Sequence, residues 1–243
     1  MYLLLASVFV GAILQRVSGI GFAMVVAPFT IIAIGPAQGV VLVQICGVTS
    51  ALCVMTQVFK NVDWKSYLAL LPASCAGILA GTYLVSLFPS AQAEMVSAII
   101  MLFMLALSVV AGRARQYPRN GMSLSIAGGL AGSMTVLAGV GGVALTSLKQ
   151  ATRWDQTSFV ATLQPYLVTL STGTVIARVV ASPEAWPVLS WTVWLMILLV
   201  MIVGMLLGSR LARIMSAAHA GRLTLLLSLV GAVSAFLHGL SKL

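Results

Sequence analysis

Ten apolar stretches, separated by short polar punctuation, run the length of this chain. Five fill the first half, at about 1–15, 19–35, 38–58, 66–87 and 93–111. The segment Gly112 to Asn120, carrying Arg113, Arg115 and Arg119, then divides the sequence. Five more stretches follow at about 123–137, 139–148, 157–181, 188–209 and 221–240. Most approach the ~20 residues that an α-helix needs to cross a hydrocarbon core. The pattern predicts an all-α integral membrane protein with glycine-rich breaks.

Composition sharpens this picture. Hydrophobic residues make up 60% of the 243, charged residues 7%, and the mean hydropathy is +1.11. A soluble domain carries about 25% charged residues, so this chain has too few to cover a water-facing surface. The first stretch lacks the basic n-region of a signal peptide, and no secreted soluble domain follows it. The net charge of +9 does not point to nucleic acid, because the basic residues sit singly or in short groups at the ends of apolar runs. That placement is the usual signal of membrane topology. Cys46, Cys53 and Cys75 lie within apolar runs without a CxxC or His spacing, which argues against a disulfide framework or a zinc site.

The two halves match each other. An offset of 120 residues pairs Gly19 with Gly139, Gly21 with Gly141, Val40 with Val160, Gln44 with Gln164 and Thr49 with Thr169. An offset of 127 pairs Trp64 with Trp191, Gly77 with Gly204, Gly81 with Gly208 and Leu84 with Leu211. Two repeats are expected, over residues 1–120 and 121–243. Internal repeats of this kind point to transporter folds.

Loop charge gives the expected orientation. Lys60 with Lys65, the Arg113/Arg115/Arg119 group, Lys149 with Arg153, and Arg210, Arg213 and Arg222 mark four basic loops, assigned to the cytoplasm. Run 38–58 then travels inward and its partner 157–181 outward, so the repeats are inverted and both termini lie outside. The first two runs of each half must enter and return on one side. They read as re-entrant or broken helices meeting near the midplane, a geometry tolerated where protein or a cavity covers the backbone.

Candidate chemistry follows from that geometry. The hairpin tips are Gln15-Arg16-Val17-Ser18-Gly19-Ile20-Gly21 and Leu137-Ala138-Gly139-Val140-Gly141-Gly142. A half-helix starting after such a turn presents unpaired N–H groups that bind an anion without a charged side chain. Glycine alone also serves tight turning and helix packing. Arg16 is flanked by apolar runs and is placed away from the cytoplasmic side, where its guanidinium fork suits an oxyanion or snorkels to headgroups. Gln44 and Gln164, with Thr49 and Thr169, are polar positions in the lipid-spanning runs. Their amides can donate to an anion or join helices. Ser18, Gly19, Gly21, Gly139 and Gly141 complete the expected substrate-binding set. Trp64 and Trp191 read as interface anchors, and Arg178 and Glu184 as outer-surface charges. Asp63, Glu94, Asp155 and Glu184 all sit near run ends, so no carboxylate proton relay is expected.

Enzymatic function is not expected. An intramembrane protease would need a GxSG nucleophile and a histidine at mid-depth. No GxSG occurs, and His219 and His238 lie in a loop and near the end of the last run.

The pattern resembles the sulfite exporter TauE/SafE family of bacterial membrane proteins. The residues that carry the resemblance are Gly19-Ile20-Gly21-Phe22 followed by Pro28, Asn61-Val62-Asp63-Trp64, Gly77 with Gly81, and Gly139-Val140-Gly141-Gly142. It extends over essentially the whole chain. It implies a multi-pass transporter of the bacterial inner membrane that exports sulfite, sulfoacetate or related organosulfur anions; no cofactor, metal or nucleic-acid partner is expected. Transport or channelling of another small anion such as a carboxylate, or a non-transporting scaffold role, are the alternatives. Phe22 and Ala23 stand where further glycines are expected, and Leu148 where the second copy would carry proline. These departures bear on substrate more than on fold.

Overall fold

Every described element is helical. The computed structural model describes residues 2–87, 90–111 and 117–241; Arg113, Arg115 and the Glu94 side chain lie outside the described residues. The first hairpin is α1 (Tyr2–Ser18) and α2 (Phe22–Ile34), followed by α3 (Pro36–Val58), α4 (Trp64–Ser86) and α5 (Ser90–Ala111). The second hairpin is α6 (Gly121–Ala138) and α7 (Gly142–Thr152), followed by α8 (Gln156–Ala181), α9 (Trp191–Leu211) and α10 (Ala217–Leu240). Among the described residues, α3, α4, α6, α8, α9 and α10 are long and apolar enough to cross a membrane.

Helix starts follow local chemistry. Asp63, Asn120 and Asp155 cap α4, α6 and α8, accepting from the N–H groups of Ser66, Ser123 and Ser158 at 3.1, 2.9 and 2.9 Å. Two of the chain's four acids are thereby engaged as caps. Pro36 opens α3, where its missing N–H costs nothing.

The hairpins are deeper than their sequence suggests. Helices α1 and α6 have 17 and 18 residues, about 26 Å of rise, close to the ~30 Å of a hydrocarbon core. The returning arms α2 and α7 have 13 and 11 residues. Each hairpin is therefore asymmetric, with a long first arm and a short returning one.

Helix pairing runs in matched sets. Helix α1 lies along α9 as α6 lies along α4; α2 packs on α10 as α7 packs on α5; α3 and α8 face each other. Small residues allow the close approaches. A Cβ on Gly77 would sit 2.2 Å from Gly129 O of α6, and one on Gly204 would sit 2.8 Å from Phe9 O of α1. Both glycines come from one repeat-matched pair. The α3–α8 pair forms the centre of the core, where Val40, Leu42, Gln164 and Tyr166 have no exposed surface.

The basic loops gather at one end. Arg119 pairs with Asp63 at 3.3 Å and lies 4.4 Å from the Trp154 ring centroid, which joins three inter-helix loops. Burial pushes the Asp63 carboxyl up. Hydrogen bonds from the Ser66 N–H and hydroxyl, together with the Arg119 charge, outweigh this and hold it below the usual carboxylate range. Lys149 and Arg222 line one vestibule of about 480 Å³ at the same end.

Candidate functional site

Two glycine turns set the geometry. Gly19 and Gly139 both have φ of 76°, and Gly21 has φ of 138°, left-handed backbone that glycine reaches without penalty. Gly19 donates its N–H to Gln15 O at 2.8 Å and Gly139 donates to Thr135 O at 3.0 Å, so each turn closes its first arm identically.

Both tips line one central cavity of about 40 Å³, with Gly21, Met24, Gln44, Gly139, Gly141 and Ser171 in its wall. One water needs roughly 10–15 Å³ of such space, so the cavity has room for a compact ion of a few heavy atoms. No charged side chain lines it among the described residues. Its polarity comes from helix starts instead. In α2 the first i→i−4 bond runs from Val25 N to Gly21 O. In α7 the first bonds run from Val143 N to Val140 O and from Ala144 N to Gly141 O. The N–H groups ahead of them, on Ala23 and Met24 and on Gly141 and Gly142, belong to residues in the cavity wall. Two helix starts thus contribute partial positive charge to one enclosed space.

The glutamines brace the tips crosswise. Gln44 of α3 donates Nε2–H to Gly139 O at 3.1 Å, and its Oε1 accepts from the Ser171 hydroxyl at 2.6 Å. Gln164 of α8 donates Nε2–H to Gly19 O at 3.3 Å and to Val160 O at 2.9 Å. Each glutamine therefore holds the turn of the other half. Carbonyls only accept, which fixes both amide orientations. Gln164 has no N–H left for a ligand, whereas Gln44 retains one.

Several expected site residues lie elsewhere. Arg16 is at the basic end: its Nε donates to Ser209 Oγ at 2.8 Å, and its other arm bonds Gln57 Oε1. Its expected position away from the cytoplasmic loops is corrected, because the 17-residue α1 carries it across the bundle to where α3 and α9 end. Arg16→Ala is accordingly expected to change the KM for transport by less than about threefold, since a rim charge governs encounter more than binding. Ser18 is turned into its own backbone, bonding Leu14 O at 2.7 Å and Ile20 O. Thr49 bonds Ile45 O at 3.1 Å and lines an apolar groove with Trp191 and Trp194. Thr169 is exposed and bonds Tyr67 Oη at 2.9 Å. Arg178, expected on the outer surface, is only 5% exposed.

Sequence reasoning missed Gln15 and Thr135 as site residues, although the 120-residue offset pairs them. Gln15 Oε1 accepts from Phe22 N at 3.2 Å, bracing the first turn. Thr135 packs beneath Gly141. Ile20 and Met24 belong both to the cavity and to the Lys149/Arg222 vestibule, so they separate one from the other.

Six membrane-length helices among the described residues, packed around a cavity lined by two hairpin tips, define a multi-pass membrane protein. Residues 3–235 match the sulfite exporter TauE/SafE family, and the chain belongs to that family, whose members transport sulfur anions across membranes. Comparison with curated proteins gave no match, and neither did comparison with solved structures.

Proposed function

We propose that the protein is a secondary transporter exporting a compact sulfur oxyanion, sulfite in the first instance, across a bacterial inner membrane. The two helix starts sharing one 40 Å³ cavity are the observation that carries this reading. They offer several N–H donors to an anion with no fixed cation to trap it. Sulfite, with four heavy atoms, suits that volume. Sulfoacetate requires the cavity to widen during the cycle.

The chain is read as two inverted repeats, 1–120 and 121–243. The matched helix pairings, the equal φ at Gly19 and Gly139, and the crosswise glutamines support this. The basic end is the cytoplasmic one, which puts both termini outside. Export is supported by the vestibule at that end, where Lys149 and Arg222 draw anions toward Ile20 and Met24. Gly21, Gln44, Gly139 and Gly141, joined by Gln15, Thr135 and Ser171, make up the binding site. Gln164 and Gly19 hold its shape.

Purified protein reconstituted into proteoliposomes tests the proposal. Efflux of radiolabelled sulfite is expected to exceed that of acetate by at least tenfold (about 1.4 kcal/mol) and to saturate. Equal rates for sulfite and acetate, or no protein-dependent flux of either, would overturn it.

A further inference from the structure

At the end opposite the basic loops, Arg178 lies in the wall of a second pocket of about 540 Å³, shared with Pro36, Gln38, Thr82, Ser86 and Glu184. Arg178 is 95% buried by its 5% exposure. One terminal nitrogen donates to Pro36 O at 3.2 Å, but Nε has no partner among the described residues. No carboxylate lies within ion-pair distance of it there: Glu184 is exposed and the one ion pair described is Arg119–Asp63. A buried guanidinium without a counter-charge is costly, and an anion entering the pocket would relieve that cost.

Arg178 is also the last member of a polar stripe on α8. Gln164, Ser171 and Arg178 recur every seven residues and so share a helix face, with Thr174 between them. Three of these four carry a buried polar atom without a partner: Gln164 Oε1, Thr174 Oγ1 and Arg178 Nε. Ser171 lies in the wall of the central cavity. Along α8 the stripe spans the distance between that cavity and the outer pocket. The matched face of α3 has Ala51, Val54 and Val58 at the corresponding positions, so the polar track exists in one repeat only.

We infer that the Arg178 pocket is a second binding site for a small oxyanion or sulfonate on the outer face, the last station on the route along α8. The inference rests on the transporter reading for its place in the route, while occupancy of the pocket stands apart from it. The planar guanidinium, the start of α3 and the spare amide hydrogen of Gln38 fit a group with several oxygens.

A thiol in the wall of the pocket reads this out without replacing Arg178. In a Cys53→Ala/Cys75→Ala background, Ser86→Cys is reacted from outside with a sulfonate-bearing and with an ammonium-bearing methanethiosulfonate reagent. The sulfonate reagent is expected to react about tenfold faster, a 1.4 kcal/mol preference. Methanesulfonate is expected to slow both reactions, and choline neither. Arg178→Gln is expected to abolish the preference and the protection, and Arg178→Lys to retain part of both. A merely structural tie to Pro36 predicts no sulfonate preference and no protection. Either absence in the protein with Arg178 intact overturns the site, whether or not Arg178→Gln folds. Persistence of protection in folded Arg178→Gln overturns it too. Failure of sulfite efflux with protection intact would instead count against the transport reading alone.

Discussion

Gly141→Ala is expected to lower sulfite efflux by about a hundredfold while leaving the protein in the membrane. The new Cβ would sit 1.8 Å from Thr135 Oγ1 and 2.3 Å from Ala131 O. The hydroxyl can rotate away, but the carbonyl belongs to the α6 backbone and cannot. The start of α7 must then shift off α6 and withdraw its N–H groups from the cavity. Forced overpacking of this kind costs about 3 kcal/mol or more, and misplaced donors lower the rate by roughly a hundredfold. Gly121→Ala is the control: a Cβ there meets nothing within 4 Å. Sulfite efflux by both variants, with size-exclusion profiles to verify folding, checks the expectation. Efflux by Gly141→Ala within twofold of the parent protein would show that the second tip is not part of the site.

Gln44→Ala is expected to have the next largest effect, and on affinity more than on maximal rate. Truncation leaves Gly139 O and the Ser171 hydroxyl without their partner. Each unsatisfied buried group costs about 1–3 kcal/mol, and the turn that positions the α7 N–H groups is no longer held. The apparent KM for sulfite is expected to rise about tenfold to a hundredfold, with Thr49→Ala unchanged beside it. Gln164→Ala is expected to act in the same direction through Gly19. A Gln44→Ala KM equal to that of Thr49→Ala would show that the amide is helix glue and nothing more.

The contrast between Gln44 and Thr49 also shows what the sequence can and cannot say. Hydropathy and loop charge suffice for an all-helical membrane chain with breaks at Gly19–Gly21 and Gly139–Gly142, because helix length and turn chemistry are local. Which polar residues share a cavity is a matter of azimuth. Gln44 and Thr49 are five residues apart, about 140° around a helix, so both could not face one small space. Gln164, Ser171 and Arg178 are seven apart and do share a face. Depth was harder to read. Arg16 ends at the basic rim because α1 remains helical for 17 residues, and no composition window shows how far an apolar run stays straight. Arg178 is buried because the start of α3 covers the end of α8 through Pro36, a contact between residues 142 positions apart. Gln15 and Thr135 were within reach, since the repeat offset pairs them and both precede a glycine turn by four residues.

Selenite, the heavier congener of sulfite, locates the binding site directly. An experimental structure of the protein soaked in selenite, with anomalous scattering at the selenium edge, is expected to show one selenium between the two glycine turns. Its oxygens are expected within hydrogen-bond distance of the N–H groups of Met24 and Gly142, with the spare Gln44 amide hydrogen turned toward it. A further selenium beside Arg178 is compatible with that result. Selenium only at the surface or beside Arg178, with the central cavity empty, would contradict a binding site built from the two helix starts.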